Sequence, residues 1–186
     1  MIFTAPEKRT LISLAGRAIA EKIDPSFEPS ADSTELSERL QSRCGAFVSI
    51  YVDRELRGCI GTFSEEDPLY KNVTKMAKAA ATEDSRFSSI HPDELTRAEL
   101  EISILTPRQR IHDPSEIIIG LHGIYIKQGG NRGTLLPQVA VNQNWSVNEF
   151  LGNCSKYKAG IGWNGWKTAE LYTYKAIVFK SDIPSY

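Results

Sequence analysis

The 186-residue chain carries 22 Lys and Arg against 23 Asp and Glu, and 41% of its residues are hydrophobic. This composition is typical of a folded globular protein, and the net charge of −1 excludes strong bulk attraction to nucleic acid or anionic membranes. No apolar run approaches the roughly 20 residues of a membrane-spanning helix. Three cysteines, at spacings of 15 and 95, form neither a disulfide framework nor a CxxC zinc pattern. We therefore expect a reducing compartment, the cytoplasm.

The first half of the chain predicts helices, a hairpin and a strand from the spacing of its apolar residues. Apolar side chains every three or four positions indicate amphipathic helices, whereas strict alternation indicates half-buried strands. Asp32 and Glu35 have the spacing of a capping box, which indicates a helix start. The predicted elements are a helix over 7–23 ended by Pro25, a short helix over 33–41, a hairpin over 46–63, a helix opened by Asp67 and Pro68, and a strand over 99–105.

The second half predicts a similar series of elements. Two glycines and an asparagine favour a tight hairpin turn, and Ser146 with Glu149 has capping-box spacing. The predicted elements are a hairpin over 122–140 that turns at 129–131, a helix from Ser146 to a terminator at Gly160, and a final strand over 171–179.

The two halves therefore share one order of parts: hairpin, helix, long loop, strand. Each hairpin also returns with an Arg-Gly pair, at Arg57 and at Arg132. The pattern predicts an α+β fold from an internal duplication, with sub-lobes over 45–106 and 120–180 in a single domain over 1–186. We expect the helix over 7–23 to pack on these unequal lobes and a cleft to lie between them, where sites are common.

Cys59 lies between Gly58 and Gly61 on the returning strand of the first predicted hairpin. Glycines inside a strand often mark a bulge or the close approach of another backbone or ligand. A thiol is nucleophilic as the thiolate, which a nearby cation favours, and strand alternation puts Arg57 on the same face as Cys59. Cysteine is also a common small apolar residue of protein cores. Both interpretations stay open: a reactive thiol and a packing residue.

The histidines offer one candidate proton carrier. His122 precedes the second hairpin and is the best partner for a nucleophile at Cys59, although a lone loop histidine is more often structural. His91 and His112 are expected on surface loops. Three histidines without HxH or HxxxH spacing make a poor ligand set, so the sequence predicts no metal and no other cofactor.

Asp84 and Arg86, in the segment EDSRF, are candidate binding residues. The guanidinium of Arg86 has the fork geometry that binds a carboxylate or phosphate, and Asp84 is placed to orient it. The alternative is an ordered loop in which Phe87 fills the core and the two charges pair at its rim.

Several segments, taken together in order and spacing, resemble the AMMECR domain family. They are LRGCIGT (56–62), DSRF (84–87), GLHGIYI (120–126), LLPQVA (135–140) and the FL…C…KAG run (150–160). The resemblance spans about residues 7–179. It implies that Leu56, Arg57, Gly58, Cys59, Ile60 and Gly61 are the family signature, accompanied by Asp84, Arg86, His122 and the Pro137 segment.

The resemblance also implies a fold and a set of partners. Members of this family, called AmmeMemoRadiSam system protein A in bacteria and archaea, are compact intracellular α+β proteins with a cleft between two lobes and an internally duplicated fold. They are encoded beside, or fused to, Memo-like and radical-SAM proteins. The resemblance brings no established activity.

Two hypotheses follow. In the first, the chain is an enzyme or enzyme component that works with radical-SAM and Memo-like partners, with Cys59 as the thiolate nucleophile and His122 as the proton carrier. Arg57, Asp84 and Arg86 would then bind substrate. In the second, the chain is a non-catalytic module that binds a protein or RNA through its cleft and its more basic second half, in which residues 107–186 carry 9 Lys and Arg against 5 Asp and Glu. In this hypothesis RGCIG is structural. Of these two ligands, RNA is the less favoured, because the chain has a net charge of −1.

Overall fold

The computed structural model describes residues 2–28 and 36–184, and the chain divides into two compact units. The first unit comprises Met1–Leu105 together with Ile177–Tyr186, and the second comprises Thr106–Ala176. Among the residues described, no helix is both long and apolar enough to cross a membrane.

Helices and antiparallel strands make up both units. The helices are α1 (Ala5–Ile23), α2 (Glu38–Gln41), α3 (Leu69–Thr82), α4 (Pro137–Asn142) and α5 (Val147–Asn153), the last continued by a π-helical turn (Cys154–Lys158). Short 3₁₀ turns cover Pro92–Arg97, Pro114–Glu116 and Gly165–Lys167. The strands are β1 (Ala46–Val52), β2 (Glu55–Thr62), β3 (Ala98–Leu105), β4 (Gln109–Ile111), β5 (Gly123–Gln128), β6 (Asn131–Leu135), β7 (Glu170–Tyr174) and β8 (Ala176–Asp182).

The first unit is a four-stranded sheet with two long helices stacked above it. Its strand order is β2-β1-β3-β8, with β1 antiparallel to both β2 and β3. Helix α3 packs on β1 and β2, and α1 packs on α3. Alternate strand residues enter this core, because successive side chains point to opposite faces. The core includes Leu11, Ile19, Val48, Ile50, Leu69, Val73, Leu100 and Ile102.

Helix α1 begins two residues before the predicted start because of a capping box. The side chain of Thr4 accepts a hydrogen bond from the Glu7 N–H, and the Glu7 carboxylate accepts one from the Thr4 N–H. This exchange satisfies two N–H groups that the first turn leaves without helical partners. The helix ends at Ile23, as Pro25 predicts.

The predicted hairpin of β1 and β2 is confirmed, and it contains a bulge. Its turn residues Asp53 and Arg54 have positive φ values of 51° and 70°, which suit the twist of a two-residue hairpin. Ile50 lies opposite Gly58 while Tyr51 lies opposite Leu56, so Arg57 is the extra residue. Such a bulge interrupts the alternation of side chains along the strand. The inference that Arg57 and Cys59 share a face therefore no longer follows from their spacing.

The second unit has its own sheet, with the order β4-β7-β5-β6 and antiparallel pairing. The predicted capping box of Ser146 and Glu149 is confirmed at the start of α5. Gly160 has a φ of 69°, which suits a residue that follows a helix. The core of this unit is separate from the first and includes Ile124, Ile126, Phe150, Leu151, Cys154 and Leu171.

Two predicted strands are shorter than the sequence indicates. Strand β6 ends at Leu135, and the rest of the predicted hairpin is α4, because Pro137 occupies the first helical position, which proline favours. Where the sequence predicts one final strand, the structure has two, β7 and β8, with a break at Lys175. The Lys175 N–H donates to the Thr106 hydroxyl, and the Lys175 carbonyl accepts the Thr106 N–H. Strand β8 joins the first sheet, so the predicted sub-lobe over 120–180 extends too far. Of the predicted helix over 33–41, the structure has α2, and Asp32 and Glu35 lie outside the described residues.

The two sheets share a strand order. In each, a hairpin is followed by helix and then by a strand that pairs with the first strand of the hairpin: β3 with β1, and β7 with β5. The α+β fold and the repeated series of elements agree with the sequence prediction. A shared strand order does not by itself demonstrate common ancestry, so the internal duplication is not confirmed.

Candidate functional site

The signature strand β2 is held tightly against its neighbours at two glycines. A Cβ at Gly58 would overlap the carbonyl oxygen of Ala80 in α3, and a Cβ at Gly61 would overlap the ring of Phe47 in β1. Only glycine allows these approaches. Because Gly58 faces α3, the side chain of Cys59 points to the opposite face of the sheet.

The Cys59 thiol lies on that face, beside a serine. The Ser49 hydroxyl, on the buried side chain directly opposite in β1, donates a hydrogen bond of 3.2 Å to the Cys59 sulfur. Glu101 of β3 is the register partner of Ser49 on its other side. A row of Cys59, Ser49 and Glu101 therefore crosses three strands on one face. Neither Ser49 nor Glu101 is among the predicted site residues, although the polar Ser49 inside the apolar run AFVSIYV marks this face.

Asp84 and Arg86 lie at the free edge of β2 and bind the backbone of Cys59. The Asp84 carboxylate accepts the Cys59 N–H at 2.9 Å, and Arg86 Nη2 donates to the Cys59 carbonyl at 3.3 Å. Two further bonds, of 2.9 and 2.7 Å, join the Arg86 guanidinium to Asp84. The pair thus occupies the place of a neighbouring strand at an edge that would otherwise expose these groups.

The charges of this pair stabilise each other. The Arg86 guanidinium, helped by the Cys59 N–H, holds the pKa of Asp84 well below its usual range. The pKa of Arg86 is raised, chiefly by Asp84, with a smaller contribution from Cys59. The Asp84 side chain is 6% exposed, whereas that of Arg86 is 59% exposed. Arg86 therefore keeps donors toward solvent while it positions Cys59.

Arg57 connects β2 to the 3₁₀ turn at 92–97. Its guanidinium forms an ion pair of 3.1 Å with Glu94 and donates to Ser88. Glu94 also accepts the His91 N–H at 2.8 Å, which caps that turn. The structure therefore brings Cys59, Asp84 and Arg86 together and directs Arg57 toward Glu94.

Among the three cysteines, Cys59 alone is partly exposed, whereas Cys44 and Cys154 are buried. Burial raises the pKa of the Cys44 thiol, and it raises the pKa of Cys154 to about 12. Since thiolates are the reactive form, the two buried thiols are inert in the folded protein.

His122 lies in the second unit, at the start of β5, and is half-buried. Its Nδ1 accepts the Ile118 N–H at 3.2 Å, so the neutral ring carries its proton on Nε2. His91 contacts Asp93 on an exposed turn, and His112 is exposed. Within residues 2–28 and 36–184, no group of three or more His, Cys, Asp or Glu is placed to hold a metal ion.

Comparisons with known proteins point to one family. The model of the AMMECR1 family matches residues 12–179. Protein MK0488 of Methanopyrus kandleri is 34% identical over 97% of this chain and 91% of its own length. Protein NEQ441 of Nanoarchaeum equitans is 36% identical over 80% of this chain and 87% of its own. The crystal structure of the uncharacterized protein PH0010 from Pyrococcus horikoshii superposes with a TM-score of 0.82 at 29% identity, covering 98% of this chain and 95% of that one.

Proposed function

Since the chain belongs to the AMMECR1 family, we propose that it is an enzyme, or an enzyme component, whose nucleophile is the Cys59 thiolate. The observation that carries this proposal is the contact of Ser49 with a partly exposed sulfur. A hydroxyl that donates to sulfur stabilises the thiolate, and the nearby Arg86 guanidinium adds a favourable charge. Cys59 then attacks an electrophilic atom of the substrate, and the leaving group departs with the electron pair of the broken bond.

The other predicted site residues take distinct roles in this proposal. Asp84 and Arg57 are positioning residues, because their side chains bind β2 and the turn behind it. Arg86 positions Cys59 and offers its solvent-facing N–H groups to an anionic substrate group. For His122 we keep the predicted role of proton carrier, which falls to Nε2 because Nδ1 accepts the Ile118 N–H.

The proposed partners are Memo-like and radical-SAM proteins in the cytoplasm. This part of the proposal is supported by the family resemblance and by cysteine usage that suits a reducing compartment. Co-purification of the tagged chain with both candidate proteins tests it, and the Cys59→Ser variant tells whether association needs the thiol.

Alkylation kinetics test the nucleophile directly. We expect Cys59 to react with iodoacetamide near neutral pH faster than free cysteine, while Cys44 and Cys154 stay unmodified, as read by peptide mass spectrometry. Ser49→Ala should slow the reaction, because it removes the hydrogen bond to sulfur. Ser103→Ala is the matched control, since Ser103 is a buried serine of the same sheet that lies opposite Phe47. If Cys59 reacts no faster than free cysteine, the nucleophile role is excluded.

The second candidate function is a non-catalytic module that binds a protein or RNA. The observation that favours it is the use of the signature in packing: Gly58 and Gly61 admit close neighbours, and Asp84 and Arg86 satisfy the edge of β2. In this case Cys59→Ser keeps function and loses some stability. Absence of salt-dependent binding to RNA would remove the RNA branch.

A further inference from the structure

The second unit contains a pocket of about 160 Å³ at one end of its sheet. It lies between β4 with the loop that follows, the 3₁₀ turn at 165–167, and β7. Polar and aromatic side chains form its walls: Arg110, His112, Trp166, Lys167 and Glu170. All of them belong to the second unit, whereas Cys59, Asp84 and Arg86 belong to the first.

The cationic side chains of this pocket have N–H groups that are available to a ligand. Arg110 Nη1 is 3.9 Å from Glu170, beyond hydrogen-bond distance, and Lys167 Nζ lies 5.7 Å above the Trp166 ring. In the described part of the chain, neither side chain donates a hydrogen bond to a protein acceptor, and the His112 ring makes none. Within the described residues, three side chains with N–H groups therefore line one cavity with no protein acceptor at hydrogen-bond distance.

Glu170 restricts which anion can bind. It accepts a hydrogen bond of 2.8 Å from the Tyr172 hydroxyl and lies 3.9 Å from both Arg110 and Lys127. The Tyr172 hydroxyl lowers the pKa of Glu170, so the carboxylate stays ionised at neutral pH. It offsets one positive charge of the lining. A ligand with two negative charges and several acceptor oxygens gains more from Arg110 and Lys167 than a single carboxylate does.

We propose that this pocket binds a phosphate monoester whose organic group is flat and packs against Trp166. The planar guanidinium of Arg110 suits two phosphate oxygens, and the Lys167 ammonium and the His112 ring can serve the third. Trp166 is the aromatic residue of the pocket lining, and its indole is the surface on which the flat group would stack.

Phenyl phosphate is the probe that tests this proposal. Titrated into the ¹⁵N-labelled protein, it should produce saturable shifts of the Trp166 indole and of the Arg110 and Lys167 amides, while the indoles of Trp145 and Trp163 stay in place. Because stacking adds to the phosphate contacts, phenyl phosphate should bind about tenfold more tightly than inorganic phosphate. Phenol, which lacks the phosphate, should not saturate these signals.

Variants distinguish a specific binding site from nonspecific electrostatic attraction. Arg110→Gln and Lys167→Gln should each weaken phenyl phosphate about tenfold. Arg108→Gln is the matched control: it removes the same charge two residues away, where the guanidinium stacks on Tyr125 at 4.5 Å, and affinity should change by less than about twofold. Trp166→Ala should remove the preference for phenyl phosphate over inorganic phosphate.

Three results overturn the proposal. One is the absence of saturable shifts, and a second is shifts spread over the surface. The third is equal weakening in the Arg110 and Arg108 variants, which would indicate attraction by net charge alone. The ¹⁵N spectrum of each variant establishes that it is folded, so loss of binding is not confused with unfolding.

Discussion

Asp84 illustrates, at the scale of single residues, how a charged side chain takes the place of a strand. It accepts the N–H of Cys59 at the edge of the sheet, and Arg86 donates to the carbonyl of the same residue. We predict that Asp84→Ala speeds hydrogen exchange of the Cys59 amide, measured by NMR, because that N–H loses its acceptor. The reaction of the Cys59 thiol with iodoacetamide should also depart from a single rate.

Asp93→Ala is the control for this prediction, since the Asp93 side chain is 76% exposed and contacts His91 rather than the backbone of Cys59. Exchange at Cys59 should be the same in this variant as in the parent protein. An unchanged Cys59 amide in the Asp84 variant would mean that the edge is protected in another way.

Among the elements, helix α1 has in its first turn a carboxylate, Glu7, whose surroundings favour the ionised form. The N–H of Thr4, the guanidinium of Arg39 and the hydroxyl of Ser37 lower the pKa of Glu7 from 4.5 to about 2. A carboxyl group with a lowered pKa in the folded state stabilises the fold above its unfolded pKa. We predict that the free energy of unfolding falls as pH decreases from about 4.5 toward 2, which urea titration at several pH values measures.

The Glu7→Gln variant should lose this contribution at neutral pH and show a flatter stability profile over the same acid range. Thr4→Ala removes the cap from the other side and should cost about 1 kcal/mol. Glu21→Gln is the control, since Glu21 lies on the same helix as Glu7 but pairs with Lys78 of α3. If Glu7→Gln and Glu21→Gln have the same pH profile, the capping box does not account for the acid sensitivity.

At the scale of the whole molecule, the two cores are separate clusters, and each contains one buried cysteine. Cys44 belongs to the first cluster and Cys154 to the second, beside Leu151. Leu151→Ala should destabilise the second core by about 3 kcal/mol. We predict that labelling of Cys154 by a thiol reagent accelerates more than labelling of Cys44, because opening of the local core exposes the sulfur.

Leu100→Ala, in the first core, is the reciprocal variant and should accelerate labelling of Cys44 more than that of Cys154. Quantitative mass spectrometry of the labelled peptides reports both sites in one experiment. Equal acceleration at both sulfurs in both variants would show that the cores open only together.

Elements whose signals are local can be predicted from the amino-acid sequence alone. The apolar spacing of residues 7–23 and the proline at 25 predict α1, and Ser146 with Glu149 predicts the start of α5, because caps and helix faces involve neighbours within one or two turns. The family could likewise be identified from LRGCIGT and DSRF. Local signals did not predict the break at Lys175, since its partner Thr106 is distant in the chain.

The surroundings of Cys59, by contrast, depend on how the whole sheet folds. A two-residue turn at Asp53 and Arg54 without a bulge would place Ser49 opposite Gly58, and the bulge at Arg57 shifts the register by one residue, which brings Ser49 opposite Cys59. The carboxylate and guanidinium at the edge of β2 come from a loop more than 20 residues away. Register and long-range pairing depend on packing of the whole sheet, which no short stretch of sequence specifies.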